Sequence, residues 1–426
     1  MIMIIKNGLV IGDDRKARKM DIMVQNQSII EIAPNIDEGG YPVVDAVGCY
    51  VLPGLIDMNC ETCDPGYENI EDLTTASRSA AKGGFTSITS QPTTNPVVDN
   101  KTVVNYITGR SAKLSTVNVY VYGSMTKECE GKAMAEIGEM VNAGIVAISD
   151  GGKCVDNAAL MRNIMRYSSM FNVPVITTCN DENLSAGGVI NAGKVASAYG
   201  LKGIPRDAEE IMVARNIILS ENTGSKLHIS GVSTKGSVDL IRQAKIRGVR
   251  ITCETQPHYF TLSENAVEGY NTLAKVMPPL RTDGDIQAII EGLTDGTIDI
   301  IASGHTPKTI ESKNKEFDMA SFGISSLETA FAVSYNALVA TGKLTIGDLL
   351  DKMSVTPAKI LGLENKGSIS DGSDADLVIF SADDEYYINP ANFASKAKFS
   401  PYSGKSVKGR IRYTIVGGKM VYIADI

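Results

Sequence analysis

The sequence predicts an α/β protein, a (β/α)8 TIM-like barrel accompanied by a small β-sandwich domain built from both termini. Three observations lead to this fold class. Short apolar runs alternate with segments of helical periodicity through the middle of the chain. Both ends carry runs rich in β-branched residues, broken by Asn, Gly and Asp. A chain of 426 residues, 43% of them hydrophobic, is long enough to bury a large core.

The eight barrel strands are predicted from apolar runs that each precede a helix or a long loop. In chain order the runs are GLIDM, GFTSITS, VNVYVYG, GIVAISD, VPVITTC, KLHISGV, VRITCET and IDIIASG. Segments of helical periodicity separate several of them, as in ALMRNIMRYSSMF, AEEIMVARNIILS, SVDLIRQAKIRG and DIQAIIEGLTDG. Eight β-α units form a barrel whose functional site lies at the carboxyl ends of the strands. The residues that end each run are therefore the candidate site.

The small domain is predicted over residues 1–52 and 366–426, and the barrel over residues 53–365. At the amino end, strands are predicted in MIMIIKNGLVI, KMDIMVQNQSIIEIA and GCYVLPGLID. At the carboxyl end they are predicted in ADLVIFSAD and GRIRYTIVGGKMVYI. Two β-rich ends around an α/β middle indicate one domain assembled from both termini.

Composition excludes several classes of protein. The formal net charge of -8 argues against a nucleic-acid binder, which needs a basic face to neutralise phosphates. The first residues are apolar for too short a stretch to form a signal peptide or a membrane span. Seven Cys are scattered along the chain, and Cys60 and Cys63 form an isolated C-x-x-C, which is weak support for metal or redox chemistry. We expect a cytoplasmic protein with free thiols.

Seven motifs identify a resemblance to a known family. VLPGLIDMNCETCDPG, QPTTNP, ISDGG, HISGVSTKGSV, MPPLR, IASGHTP and FGISSLETAF resemble, in order and spacing, those of bacterial class I dihydroorotases in the amidohydrolase superfamily. The resemblance covers nearly the whole chain and implies an amidohydrolase-type barrel. That family interconverts dihydroorotate and N-carbamoyl-aspartate with one or two zinc ions. Zinc lowers the pKa of its bound water from about 15.7 to about 7, so loss of the ligands removes the nucleophile.

The metal positions that the resemblance implies carry other residue types in this chain. Asn59 and Glu61 stand where the first motif of the family has two His. Thr178 and Gly231 stand where two further His would be. Gly151 stands at the position of the bridging ligand. These residues are chemically unrelated to one another, and they do not form a modified zinc site of the family's kind.

Two positions near the metal sites are open to different interpretations. A one-residue shift of the alignment would give the bridging role to Asp150 in place of Gly151. Gly304 stands where the family has a catalytic Asp that acts as general base. Of the two His that flank this position in the family, His305 is present and Lys308 replaces the other. His305 is interpreted as a packing residue.

Substrate positions differ as well. Cys63 replaces the Arg that would hold the substrate carboxylate, and a thiol cannot offer that fork of donors. Thr93 and Met277 each replace an Asn of the family pattern. The remaining histidines, His228 and His258, match positions that are not ligands in the family. We interpret both as structural residues near the barrel mouth.

Two alternative chemistries remain open on the residues alone. Glu61, Asp150, Asp181 and Cys63 could converge as a new metal site, although hard carboxylates with one soft thiol make no familiar zinc set. Cys60 or Cys63 could act as a nucleophile, which requires a lowered thiol pKa and a base nearby.

The sequence therefore predicts a dihydroorotase-like protein that is catalytically inactive, with no catalytic residue and no cofactor, retained as a structural or regulatory partner. By resemblance, aspartate carbamoyltransferase is the first candidate partner, bound through an apolar patch on the barrel surface, and a homo-oligomer is expected. An active cyclic-amide hydrolase with a rebuilt site and a metabolite-binding sensor remain as alternatives. The vestigial pocket is predicted to comprise Asn59, Glu61, Cys63, Thr93, Asp150, Gly151, Thr178, Gly231, Met277, Gly304, His305 and Lys308.

Overall fold

The computed structural model describes residues 2–425. Met1 and Ile426, the outer ends of the predicted small domain, lie outside the described residues. Within this range the predicted fold class is confirmed: a curved parallel sheet of eight strands lies beside a mixed sheet contributed by both termini. The exact domain boundaries stay a prediction.

All eight apolar runs predicted as barrel strands form strands of one parallel sheet, in the order in which they occur along the chain. The sheet is parallel because each strand is followed by a helix or a long loop that returns the chain to the opposite end. Its strands are β6 (Leu55–Asp57), β7 (Phe85–Ser90), β8 (Asn118–Gly123), β9 (Ala147–Ile148), β10 (Val175–Thr178), β13 (Leu227–Ser230), β14 (Ile251–Thr255) and β15 (Ile300–Ile301).

The first and last strands of this sheet meet just beyond their ends. Cys60 and His305 form a parallel bridge, in which the Glu61 amide donates to the His305 carbonyl and the His305 amide donates to the Asn59 carbonyl. Further into the barrel, the Asp57 side chain accepts from the Ser303 amide at 2.7 Å. The barrel is therefore joined at this seam by a bridge and a carboxylate.

The terminal sheet joins the two ends of the chain. Its strands are β1 (Ile2–Ile11), β2 (Ala17–Gln25), β3 (Ser28–Ala33), β4 (Val43–Asp45), β5 (Tyr50–Pro53), β16 (Leu377–Tyr387), β17 (Ser406–Val416) and β18 (Lys419–Ile423). Their order is β18-β17-β16-β5-β1-β2-β3, with β4 paired to β1. The two ends of the chain are joined in this order by the antiparallel pair of β5 and β16.

Helices cover the outside of the barrel and short elements surround its mouth. The helices are α1 (Leu73–Lys82), α2 (Lys101–Leu114), α3 (Ile137–Asn142), α4 (Ala158–Met170), α5 (Glu182–Ser185), α6 (Lys194–Tyr199), α7 (Asp207–Thr223), α8 (Lys235–Ile246), α9 (Pro257–Thr261), α10 (Asp283–Thr294), α11 (Ile310–Lys313), α12 (Ala330–Ser334), α13 (Ile346–Leu350) and α14 (Thr356–Leu361). The four predicted helical segments overlap α4, α7, α8 and α10, and their limits agree to within two residues except at the C-terminal end of α7. A small parallel pair, β11 (Ile190–Asn191) and β12 (Gly203–Ile204), and several short 3-10 and π turns complete the fold.

Polar and apolar contacts attach the terminal sheet to the barrel. Thr414 on β17 donates its hydroxyl to the Ala81 carbonyl at 2.6 Å, at the end of α1. Asn118 at the start of β8 donates to the Asp376 carboxylate at 2.9 Å. In residues 2–425, no helix has the length and apolar character needed to cross a lipid bilayer.

Candidate functional site at the barrel mouth

The carboxyl ends of the barrel strands surround a cavity of about 250 Å³. Ten of the predicted pocket residues contribute to its wall or to that of a cavity beside it. They are Asn59, Glu61, Cys63, Thr93, Gly151, Thr178, Gly231, Met277, Gly304 and Lys308. Asp150 and His305 are buried behind this wall. The residues predicted for the pocket therefore lie at or just behind the wall of the barrel mouth.

A buried carboxylate that sequence reasoning did not select organises one side of the cavity. Glu254 at the end of β14 is 1% exposed. Its Oε1 accepts from the Asn59 amide at 2.7 Å and from the Ser230 hydroxyl at 2.6 Å. Gln256 donates to the same oxygen at 3.3 Å. Asn59 thus serves as a hydrogen-bond donor to a carboxylate, because its amide nitrogen points to Glu254.

The second oxygen of Glu254 faces a histidine inside the barrel. His228 Nε2 lies 3.3 Å from Glu254 Oε2, and His228 Nδ1 lies 2.8 Å from the Thr252 hydroxyl. Both ring nitrogens therefore have partners, and the ring is fully buried. The interpretation of His228 as a structural residue agrees with these contacts.

Asp57 is occupied at the barrel seam. Its two oxygens accept from the Ser303 amide at 2.7 Å and from the Ser303 hydroxyl at 2.5 Å. Burial raises the pKa of this carboxyl to about 7, against the lowering effect of the hydrogen bonds from Ser303, and the charge of Glu254 adds to the increase. Asp57 is thus held in the wall with its oxygens directed to a neighbouring strand.

Glu61 and Lys308 form an ion pair at the rim of the cavity. The Lys308 Nζ lies 3.0 Å from Glu61 Oε2, and about a quarter of each side chain is exposed. Burial alone would lower the pKa of Lys308, but the charge and hydrogen bond of Glu61 raise it above its usual value. Two positions that the alignment treated separately are therefore partners, and the lysine neutralises the carboxylate.

Asp150 is held away from the cavity by backbone donors. Its Oδ1 accepts from the amides of Met125 at 2.7 Å and Thr126 at 3.0 Å, and its Oδ2 accepts from the Thr126 hydroxyl at 2.5 Å. Burial nevertheless raises its pKa above the usual range. Because these donors hold both oxygens, the bridging role considered for Asp150 has no support in this geometry.

The glycines at the strand ends adopt backbone conformations that favour glycine. Gly231 has φ +74° and Gly304 has φ +66°. A Cβ atom at Gly304 would lie 2.6 Å from Gln256 Cγ and 3.1 Å from His258 Cε1. An aspartate at position 304 would therefore require Gln256 and His258 to move. Packing around this position is adapted to the absence of a side chain.

His305 is buried and contacts a carboxylate on the far side of the seam. Its Nδ1 accepts from the Ser326 amide at 3.2 Å, and its Nε2 lies 3.6 Å from Glu71 Oε2. Burial would raise the pKa of Glu71, but His305, Ser395 and Thr75 together hold it below the usual value. His305 therefore contacts Ser326 and Glu71, and Glu71 in turn accepts from the Ser395 hydroxyl, in agreement with the interpretation of His305 as a packing residue.

The cysteines near the site lack the features of a nucleophile. Cys60 and Cys63 are buried, and burial raises the thiol pKa of both, further supported by the charge of neighbouring carboxylates. A thiol whose pKa is raised holds its proton at neutral pH. Nucleophilic chemistry at these two positions is therefore disfavoured.

Three further predicted residues have local roles or partial exposure. Thr178 donates its hydroxyl to the Gly151 carbonyl at 3.0 Å. Asp181 caps the N-terminus of α5 by accepting from the amides of Asn183 and Leu184, both at 2.9 Å. Met277 is 37% exposed at the cavity rim. Asp181 is thus engaged in the turn that begins a helix.

The residues around the cavity do not fit the zinc ions of the family. Across residues 2–425, no three His, Cys, Asp or Glu side chains are arranged so that they could hold a metal ion together. The proposed set of Glu61, Asp150, Asp181 and Cys63 is therefore not brought together. The cavity wall has one carboxylate, Glu61, and one imidazole, His258, among amides, hydroxyls and glycines, whereas zinc in proteins takes three or four imidazole, thiolate or carboxylate ligands.

Comparison with known sequences identifies the family. A family profile described as Dihydro-orotase-like matches residues 48–237, and one described as Amidohydrolase family matches residues 325–422. A curated relative named dihydroorotase, from Ruminiclostridium cellulolyticum, is 49% identical over 99% of this chain and 98% of its own length. The chain belongs to the dihydroorotase family. A dihydroorotase from Acetivibrio thermocellus is 48% identical over 98% of each chain.

Solved structures of the wider group agree with the dihydroorotase-family fold. An L-hydantoinase (dihydropyrimidinase) from Arthrobacter aurescens superposes with a TM-score of 0.89 at 25% identity, over 99% of this chain and 97% of that chain. A dihydropyrimidinase from Brevibacillus agri superposes with a TM-score of 0.87 at 21% identity, over 99% and 95%. The latter similarity concerns the fold alone.

These relatives bear directly on the predicted activity. The predicted resemblance to dihydroorotases is confirmed over the full length of the chain. The predicted inactivity finds no support in the comparisons, because the relatives carry the name of the enzyme. By name they favour the alternative, a dihydroorotase-type hydrolase.

Sequence reasoning missed the polar residues that complete the cavity. Glu254, Ser230 and Gln256 lie at or just after the ends of two predicted strands, KLHISGV and VRITCET. Gln91 follows a third, GFTSITS. A search for every polar residue at a strand end, rather than for family ligands alone, would have selected all four.

Proposed function

We propose that this dihydroorotase-family protein does not carry out zinc-dependent ring opening and serves pyrimidine biosynthesis as a structural or regulatory protein. One observation carries the proposal: the strand ends that face the cavity present an amide, hydroxyls and glycines, while the nearby carboxylates are engaged with other protein groups. Asn59 and Ser230 donate to Glu254, and Asp57 accepts from Ser303.

The consequence for chemistry follows from the reactivity of water. Water at neutral pH is a poor nucleophile, and a metal ion is what lowers its pKa to about 7 in this type of hydrolysis. A lone general base would have to be Glu61, which pairs with Lys308 at 3.0 Å. The carboxylate is therefore already engaged by the Lys308 ammonium, which competes with a water molecule for the same oxygen. Hydrolysis by this route is therefore expected to be very slow.

Metal content and turnover measured on one preparation test the proposal. The protein is produced with zinc supplied, desalted, and analysed by elemental mass spectrometry, and dihydroorotate formation and hydrolysis are then assayed. The dihydroorotase from Ruminiclostridium cellulolyticum, prepared in the same way, is the comparison. We expect near-zero zinc per chain and no turnover for this protein. One or two zinc ions together with turnover would contradict the proposal.

The second candidate function is that of an active dihydroorotase, favoured by the names of relatives 44–49% identical over nearly the full chain. In that case turnover would depend on Glu61 in the cavity wall or on Asp150 behind it. Glu61→Gln and Asp150→Asn are the variants that test it. Loss of measurable turnover in either variant would favour this candidate, whereas absence of turnover in the parent protein rejects it.

A partner surface is proposed on the outer helices of the barrel. α4, α7 and α8 pack side by side. Large apolar side chains on them are exposed: Met170 by 75%, Ile211 by 51%, Ile218 by 57% and Ile246 by 73%. We define this set as the helix face. A stable interface buries roughly 1,600 Å² in total, and an apolar helix face can form its centre.

By family resemblance we propose aspartate carbamoyltransferase as the occupant of the helix face, in a cytoplasmic assembly. Co-elution with the carbamoyltransferase of the same organism in size-exclusion chromatography at micromolar concentration is the expected result. Ile218→Lys should abolish co-elution, and Met319→Lys, which alters a residue 68% exposed outside the helix face, should not. Independent elution of the two parent proteins would reject this partner, and self-association of this chain alone would assign the face to a homo-oligomer.

A further inference from the structure

One segment at the barrel mouth forms a loop whose two ends are fixed together. We call residues 306–324, which follow the last barrel strand, the strap. The Thr306 amide donates to the Ile324 carbonyl at 3.0 Å, and the Ile324 amide donates to the Thr306 carbonyl at 2.9 Å. A surface loop with adjoining ends has the form of an Ω-loop. Five residues of the strap line the mouth cavity: Thr306, Lys308, Phe322, Gly323 and Ile324.

Hydrogen bonds attach the strap to the rest of the protein at few points. Across residues 2–425, its partners outside the strap are Glu61 and Lys275. The bond to Glu61 is the partly exposed ion pair with Lys308 at the rim. Every other bond involves the backbone or the side chain of Lys275, so this residue is the principal attachment.

Lys313 connects both arms of the strap to this attachment. Its side chain is fully buried. The Lys313 Nζ donates to the carbonyls of Lys275 at 3.1 Å, Ser321 at 2.9 Å and Gly323 at 3.0 Å. The Gly323 amide donates to the same Lys275 carbonyl at 3.0 Å. One side chain on the outgoing arm thus holds the returning arm and the barrel at once.

Lys275 binds the strap in the opposite direction. It is 2% exposed, and its Nζ donates to the carbonyls of Phe317 at 2.6 Å and Asp318 at 3.1 Å. The same Nζ lies 4.6 Å from the centre of the Phe322 ring. Backbone carbonyls and aromatic faces of the strap surround this group, and these contacts exist only while the strap lies on the mouth. Lys275 and Lys313 therefore act as one reciprocal latch.

Apolar contacts hold the strap only in part. Between residues 308 and 323, Phe317 and Ala320 are the buried hydrophobic side chains, each 4% exposed. The outer side is exposed, and Met319 on it is 68% exposed. Segments with few buried apolar contacts open locally at a lower free energy than the core. The latch is therefore expected to decide how often the strap leaves the mouth.

We propose that the strap is a lid over the barrel mouth and that Lys275 and Lys313 form the latch that keeps it closed. When the latch is released, the strap swings about the bridge between Thr306 and Ile324, and the wall formed by Lys308, Phe322 and Gly323 moves away from the cavity. The inference goes beyond the proposed function, because such a lid controls access to the mouth whether or not the protein binds a metal ion.

Hydrogen exchange measured by mass spectrometry on the full-length protein tests the latch. Lys313→Ala removes all three donated bonds, and the amides of Ser321 and Gly323 should then exchange roughly tenfold faster or more. Lys315→Ala, which alters an exposed lysine of the same strap, should leave their exchange unchanged. Lys275→Ala is a second variant with the same expected direction as Lys313→Ala.

Alkylation of Cys63 tests access to the mouth. Cys63 is 8% exposed and lines the cavity beside the mouth together with Lys308 of the strap. In Lys313→Ala, iodoacetamide should modify Cys63 faster than in the parent protein. Cys253, which is fully buried in a barrel strand, should react at an unchanged rate. The ratio of the two rates separates opening of the lid from general loosening of the barrel.

Three results would overturn the inference. Exchange of the strap amides at the parent rate in both Lys313→Ala and Lys275→Ala would show that the two lysines are not a latch. Exchange that increases equally in the strap and in α10 would show that the strap does not open as a separate unit. Faster exchange of the strap with unchanged alkylation of Cys63 would show that the strap does not control access to the mouth.

Discussion

The terminal sheet and the barrel mouth differ in what they bury: apolar side chains in the sheet, and hydrogen-bonded carboxylates at the mouth. The terminal sheet closes on an apolar cluster that includes Ile5, Ile22 and Ile379, all fully buried. The mouth buries two carboxylates, Asp57 and Glu254, each fixed by hydrogen bonds from another strand. Apolar burial depends on area and is not directional, whereas a buried carboxylate is stable only when specific donors reach it.

The two regions should therefore differ in which amino-acid substitutions they tolerate. An apolar cluster loses stability in proportion to the atoms removed, and similar residues can replace one another. A polar network fails when one partner is removed, because the remaining atoms stay buried without hydrogen bonds. The terminal sheet should therefore respond to volume, and the mouth to hydrogen bonding and pH.

The largest effect is expected in the terminal sheet. Ile379→Ala removes three carbon atoms from a fully buried site and should lower the free energy of unfolding by about 2–5 kcal/mol. Tyr387→Ala, on the exposed end of the same strand, should change it by less than about 0.5 kcal/mol. Urea denaturation of the three proteins measures the difference. Equal effects at both positions would show that the cluster does not support the sheet.

The next effect is a pH dependence at the barrel seam. The pKa of Asp57 is about 7 in the folded protein and about 3.9 when unfolded, so the folded state binds the extra proton between these values. The free energy of unfolding of the parent protein should fall relative to Asp57→Asn as pH rises from 4 to 7, by about 2–4 kcal/mol.

Denaturation curves at several pH values measure this effect. Below pH 4 both states hold the proton, and above pH 7 both lose it, so the difference should be constant outside this window. Asp371→Asn, at an exposed position, is the control and should run parallel to the parent protein. A constant difference between the parent protein and Asp57→Asn across pH 4–7 would contradict the raised pKa.

A smaller effect is expected from the carboxylate at the cavity wall. Glu254→Ala leaves the donors of Asn59, Ser230 and Gln256 without their shared acceptor and should destabilise the fold by about 2–3 kcal/mol. Glu254→Gln, which keeps one acceptor oxygen, should cost less. Thermal and urea unfolding measure both variants against Glu291→Ala, which alters an exposed position on α10. A neutral Glu254→Ala would show that the network adds no stability.

The smallest effect is expected at the rim. The ion pair of Glu61 and Lys308 is partly exposed, and such pairs contribute about 0–1 kcal/mol. A double-mutant cycle with Glu61→Ala and Lys308→Ala should give a coupling energy below about 1 kcal/mol. The same cycle on the Lys132–Glu130 ion pair, which is more exposed, should give a coupling energy closer to zero. A coupling of several kcal/mol would place the rim among the structural determinants of the mouth.

Parts of the site were predictable and others were not. Alignment to the family placed Asn59, Gly231 and Gly304 at the cavity because a barrel strand fixes where its last residues lie. It could not show that Asn59 donates to Glu254, since the two residues are distant in the chain and meet only across the barrel. The pairing of Glu61 with Lys308 escaped it for the same reason.

Asp150 illustrates the remaining ambiguity of sequence. Its position beside Gly151 left a choice between a ligand and a structural residue that only the direction of the side chain could decide. The backbone amides of Met125 and Thr126 hold it away from the cavity. Backbone donors carry no trace in residue identity, so no pattern in the sequence could have predicted this contact.

The sequence by itself predicted the fold class, the eight barrel strands and the β-rich character of both ends, and its resemblance to the family predicted which residues stand at the ligand positions. Local periodicity and residue identity are sufficient to predict the strands and helices, because each depends on neighbours in the chain. The tertiary structure decided which carboxylates face the cavity, which donors hold them, and which polar atoms, such as Gln91 Oε1 and His258 Nδ1, remain without partners. These depend on side chains from distant strands meeting within hydrogen-bond distance, and that geometry exists only in the folded chain.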